Sequence, residues 1–216
     1  MPDAPEIRIT ADGLELPGTL RLPVDTRGLV LFAHGSGSSR HSPRNVAVAD
    51  HLTAAGLGTL LFDLLTPSEA DDRARVFDIE LLAARLAAAT SWVRERTDLA
   101  GMPVGYFGAS TGAAAALRAA AMRDDIGAVV SRGGRPDLAM EHLGDVAAPT
   151  LLIVGSRDPQ VLELNERARR RLTTTSDLAV VRGATHLFEE PGALDEVADL
   201  ARAWLLRHLA GPVTAP

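Results

Sequence analysis

Three side chains in this sequence have the types and the chain order of a nucleophilic relay: Ser110, Asp158 and His186. Ser110 centres a Gly108-Ala109-Ser110-Thr111-Gly112 pentad, between an apolar run from Pro103 to Phe107 and an alanine-rich stretch suited to a helix. A serine hydroxyl is a poor nucleophile at neutral pH, so a base must take its proton and a third group must orient that base. His186, in Arg182-Gly183-Ala184-Thr185-His186-Leu187, is the candidate base, and Asp158, in Gly155-Ser156-Arg157-Asp158-Pro159, the candidate acid. Asp137 is the runner-up acid, although Arg135-Pro136-Asp137-Leu138 reads better as the start of a helix.

A serine at a strand-to-helix corner is held on a strained turn that pushes its hydroxyl above the sheet edge. Gly108 and Gly112 fit such a turn because side chains there would strike the neighbouring strand and helix. Each residue also has a plainer reading. The pentad could be a glycine-rich turn in a dinucleotide-type sheet, Asp158 a helix cap before proline, and His186 a solvated loop residue. Their shared placement at strand ends favours the relay. An acyl-transfer transition state also needs donors for a developing oxyanion. Backbone N–H groups of Thr111 and of Ser36, in His34-Gly35-Ser36-Gly37, are the expected pair.

Three arginines fall on the same rim: Arg40, Arg132 and Arg135. Arg40 and Arg132 are candidate substrate-binding residues, since a guanidinium fork suits a carboxylate or phosphate. A structural ion pair, with Asp63 or Glu69, is the favoured alternative, because rim charges commonly pair locally. Asp63 is read as a brace for the site loops.

The elements around these residues alternate. Residues 6–10 read as an edge strand, with a turn at Asp12-Gly13 and a short strand at 19–22 completing a hairpin. Further strands are expected at 28–33, 57–62, 104–107, 127–130, 151–154 and 178–181, and helices at 43–55, 73–95, to about 122, 137–143, 161–172 and 194–208. This pattern predicts a single-domain α/β, doubly wound, mostly parallel sheet over 1–210, with a frayed tail at 211–216. In such sheets ligands bind beyond the carboxyl ends of the strands, where the chemical residues fall. Too few residues separate Val130 from Leu151 for a cap insertion, so an open site is expected.

The chain has 216 residues, no cysteine and no lysine, which excludes thiolate and Schiff-base chemistry and the P-loop lysine. A net charge of −6 argues against nucleic acid or an anionic membrane as partner. The first residues lack a basic, apolar leader and no apolar run reaches the roughly 18 residues of a membrane span, so a cytoplasmic location is expected. No oligomeric state is fixed; a homodimer through the edge strand or the last helix is compatible with the pattern.

His34-Gly35-Ser36-Gly37-Ser38-Ser39-Arg40, Phe62-Asp63-Leu64, the pentad, Asp158 and His186 together resemble an α/β-hydrolase of the dienelactone hydrolase-like group, from about Gly28 to Leu209. The order Ser, Asp, His is that of this superfamily. Dienelactone hydrolases proper use a cysteine nucleophile, whereas this chain has Ser110. The resemblance therefore implies a serine esterase acting on a small-molecule ester through an acyl-serine, with no metal and no organic cofactor. Acyl transfer to another acceptor, including perhydrolysis, and a non-catalytic binding role remain the alternatives.

Overall fold

The computed structural model describes residues 6–11 and 13–209. The expected tail at 211–216 and Asp12 of the first turn lie outside the described residues. Eight strands form one sheet: β1 (Glu6–Ala11), β2 (Leu14–Arg21), β3 (Leu29–Ala33), β4 (Gly58–Phe62), β5 (Val104–Ala109), β6 (Ile126–Arg132), β7 (Thr150–Gly155) and β8 (Ser176–Val181). Their spatial order is β1-β2-β4-β3-β5-β6-β7-β8. Only the pairings made by β2 are antiparallel. The second hairpin strand is longer than the sequence suggests. It begins at Leu14, because Leu16 and Leu20 both reach the core on one face.

The uninterrupted apolar runs of β3 to β7 are explained by burial on both faces. Leu31, Tyr106, Val129 and Leu152 point to one side, where they meet α4 (Ile79–Glu95), α5 (Thr111–Ala121) and α6 (Pro159–Arg171). Val30, Phe32, Phe107, Val130 and Ile153 point to the other, against α1 (Pro43–Ala54) and α7 (Ala193–Leu209). Alanines 113 to 116 are fully buried, so α5 lies close to the sheet.

One expected helix is broken. The single helix over 73–95 is instead α3 (Arg73–Val76) and α4, and a short helix that the sequence reading left out, α2 (Pro67–Ala70), precedes them. Thr66, Asp72 and Asp78 each accept a backbone N–H from the turn that follows and restart the chain as N-caps. Short polar side chains compete with the helical ladder in this way. Glu69, in α2, is held by Arg75 (3.1 Å) and the buried Arg85 (3.1 Å). Between β6 and β7 lies only a 3-10 segment (Pro136–Asp145), packed on α5 and α6, and no cap domain covers the sheet edge among the described residues.

Candidate active site

Strand register fixes where the loops emerge. Ala33 pairs with Gly108, and Ala109 with Arg132, so β3, β5 and β6 end side by side. Ser110 follows directly, at φ +52° and ψ −119°. Positive φ on a residue with a side chain is strained, and here it is over-determined. The Ser110 N–H donates to Arg132 O (3.1 Å), and its carbonyl accepts from Ala113 N (3.1 Å) and Arg135 N (3.1 Å). A Cβ on Gly108 would stand 2.5 Å from Ala113 Cα, and one on Gly112 would stand 2.2 Å from Ala33 O. No side chain larger than hydrogen fits either position. Ser110 occupies the N-cap position of α5, yet its hydroxyl caps nothing.

The candidate acid behaves in the same manner. Asp158 sits at the N-cap of α6 but makes no capping bond with its side chain. Its Oδ2 instead accepts from His186 Nδ1 at 2.7 Å, bridging the loops after β7 and β8. With Nδ1 as the donor, Nε2 is left as the basic nitrogen. The His186 loop is secured by Glu190, whose two carboxylate oxygens accept the Thr185 N–H at 3.1 Å each. These bonds hold the Glu190 carboxyl below its usual range. Phe188, at φ +55°, buries its ring beside them.

Ser110 and His186 line a common cavity of about 250 Å³. Their side chains are not hydrogen-bonded to one another in this structure. Such bonds commonly tighten only when substrate is bound.

The candidate oxyanion loop departs from expectation at one atom. Ser36 N–H donates to the Thr111 hydroxyl at 2.8 Å, so as it stands it already has an acceptor. The Thr111 N–H, first in α5, has no backbone acceptor among the described residues. The sequence did not reveal the Thr111 side chain as a tie between the two donors. His34 anchors the loop from behind: its Nε2 accepts the Leu64 N–H (3.1 Å) and its Nδ1 donates to Gly35 O (3.1 Å). Burial pushes the His34 pKa down and keeps the ring neutral.

The rim arginines separate. Arg40 is paired with Asp63 and with Glu6 (3.0 Å), and its N–H also donates to Asp63 (2.7 Å). That is the expected brace. Arg135 makes a bidentate pair with Asp137 (2.8 and 2.7 Å), which also removes Asp137 as an alternative acid. Glu69 is committed to Arg75 and Arg85, away from the rim arginines. Arg132 differs from its neighbours: it is buried, and no carboxylate pairs with it among the described residues. Arg44 and Asn45, in the first turn of α1, line the same cavity as Ser110 and were not singled out from the sequence. Neither belongs to a spaced motif.

A larger cavity, about 590 Å³, opens on the other side of the oxyanion loop, between Ser36, Arg40, Leu65 and Val76. It does not touch Ser110. It shares Gly35, Ser36, Ser38 and Ser42 with the smaller one, so the loop forms a wall common to both. No described helix is long and apolar enough to cross a membrane.

A family model described as an alpha/beta hydrolase domain matches residues 26–200. The crystal structure of dienelactone hydrolase from Anabaena variabilis is 52% identical, with a TM-score of 0.92 over 96% of this chain and 99% of that one. Est1E from Butyrivibrio proteoclasticus, at 18% identity and a TM-score of 0.81 over 95% of this chain and 99% of that one, shares the fold. A Mycobacterium tuberculosis protein, provisionally named a phosphoribosyl transferase, is 61% identical over 96% of this chain. The chain spans about half the length (47%) of that relative. The chain belongs to the α/β-hydrolase family, within its dienelactone hydrolase-like group.

Proposed function

We propose that this protein is a serine hydrolase that cleaves carboxylic esters through an acyl-Ser110 intermediate. The observation that supports this most is the 2.7 Å bond from His186 Nδ1 to Asp158, with His186 and the strained Ser110 lining one cavity. His186 Nε2 takes the Ser110 proton as Oγ adds to the ester carbonyl carbon. The carbonyl π electrons move to oxygen, where the Thr111 N–H and the Ser36–Thr111 pair supply donors. Collapse of the tetrahedral adduct breaks the bond to the alcohol oxygen, which receives the proton from His186. Water then repeats the sequence on the acyl-enzyme, giving the acid and free Ser110. Asp158 keeps the imidazole in one tautomer and stabilises the imidazolium formed twice per turnover.

We assign ester chemistry, and not phosphoribosyl transfer, to this chain, because the family model that matches residues 26–200 is that of an alpha/beta hydrolase domain. Neither step calls for a metal or an organic cofactor.

The test is a panel of p-nitrophenyl esters and lactones run on wild-type and Ser110→Ala protein, with fluorophosphonate labelling of both. Turnover and labelling that disappear together in Ser110→Ala support the assignment. Undiminished turnover in that variant, or folded wild-type protein that neither labels nor turns over any ester, would reject it.

A further inference from the structure

Arg132 is the final residue of β6 and is 8% exposed. Its Nη2 donates a long bond (3.4 Å) to the neutral side chain of Asn45, and its Nη1 is buried without an acceptor. A buried cation without a counter-ion is costly, and natural interiors rarely keep one without a reason. A second guanidinium stands close by. Arg44 pairs through Nη1 with the exposed Glu189 (3.2 Å), while its Nε is buried and unpartnered. Burial and the nearby Arg44 together push the Arg132 pKa down to about 10, so it remains charged at neutral pH.

Both arginines line the cavity that contains Ser110 and His186, and no carboxylate among the described residues lines that cavity. The same cavity lies at the N-terminus of α1. Its wall includes the N-cap Ser42 and the first-turn residues Arg44 and Asn45, and that turn has no acidic residue. A twelve-residue helix presents partial positive charge at this end. Two guanidinium groups, unmet N–H donors and a helix N-terminus around one small space match a tetrahedral, multiply charged oxyanion. A planar monoanion would use fewer of these donors.

We propose that Arg132 and Arg44 form a phosphate subsite beside the nucleophile, and that the ester substrates of this protein carry a phosphate group. The identity of the bond cleaved rests on the Ser110 esterase reading; the subsite itself does not. The anion and the scissile carbonyl occupy one cavity and so belong to one small molecule.

The probe is inorganic phosphate, at ionic strength matched with chloride. Phosphate should raise the melting temperature of Ser110→Ala protein, bind it by calorimetry, and compete with p-nitrophenyl acetate on the wild type. Arg132→Gln, made in the Ser110→Ala background, should weaken phosphate binding by at least 30-fold (roughly 2 kcal/mol, at 1.4 kcal/mol per decade). Because a change at a buried position can unfold the protein, Arg44→Gln at the cavity mouth provides a second reading, with weakening of about fivefold. Phosphate that acts no better than matched chloride, binding that survives both substitutions, or acetate that protects better than phosphate would each overturn the subsite. Ester turnover without phosphate binding would remove the subsite alone, whereas phosphate binding without ester turnover would keep it and reject the esterase reading.

Discussion

Asp158 and His186 are 28 residues apart in sequence and joined at 2.7 Å, and the acid gives up its N-cap role on α6 to make that bond. A carboxylate at a helix N-terminus ordinarily accepts from the first turn. Here it points at an imidazole instead, which is the arrangement a base in one fixed tautomer needs. Asp158→Asn should therefore lower kcat by about 10³- to 10⁴-fold with little change in melting temperature. Steady-state kinetics beside thermal unfolding check both halves of that statement.

The Ser36 N–H and the Thr111 hydroxyl form a second coupled pair, at 2.8 Å. The hydroxyl positions the loop donor and leaves its own proton free to point elsewhere. Thr111→Val should reduce kcat by roughly 10- to 100-fold, at or below the loss of a direct oxyanion donor, while Thr111→Ser retains most of it. Equal activity of the valine and serine variants would show that the tie has no part in turnover.

Gly112 is a steric requirement, because a Cβ there would overlap Ala33 O and His34 O at 2.2 and 2.4 Å. Both are backbone atoms and cannot swing aside. Gly112→Ala should cost about 3 kcal/mol or more, at the upper end of overpacking effects. Gly101→Ala is the control: nothing lies within 4 Å of its added Cβ, and the change should stay within about 0.5 kcal/mol. Urea denaturation of the two variants compares them directly.

Acid sensitivity should arise from His34, at the head of the candidate oxyanion loop. Burial lowers the His34 pKa, so the unfolded chain takes up a proton near pH 6.5 that the folded protein refuses. Its contribution to stability is complete above about pH 6.5 and is lost as the pH falls below it, with a limiting slope of about 1.4 kcal/mol per pH unit. His208 is lowered in the same direction, so the wild type must be compared with His34→Gln across pH 5 to 7.5. The variant should show the shallower slope. A separate loss follows at lower pH, between about 4 and about 2, where Asp125, held down to about 2 by Arg123 and Arg94, takes up its proton.

Much of this architecture is legible in the residues. Apolar runs such as Leu29–Ala33 and Val104–Phe107 read as strands covered on both faces, and glycines flanking Ser110 mark a turn too tight for side chains. The single helix expected over 73–95 divides at Asp78, which looks like an ordinary helix-surface acid until it accepts the Leu81 N–H and begins a new helix. The rim arginines were legible only as a group. Arg40 and Arg135 pair with Asp63 and Asp137, but Arg132 pairs with no carboxylate among the described residues. Spacing along the chain carries no information on which of three guanidinium groups a fold will leave unpaired.

By itself, the sequence determined the order of the elements and the residue types at the strand ends, because hydrophobic periodicity and glycine sterics act over a few residues. Tertiary structure decided which groups are free to act. Asp158 turns from its helix to His186, Ser36 is tied to Thr111, and Arg132 is buried in the Ser110 cavity with its Nη1 unmet. Each of these outcomes is a contact between segments remote in the chain, set by strand register and loop packing, and no local pattern encodes the distance between them.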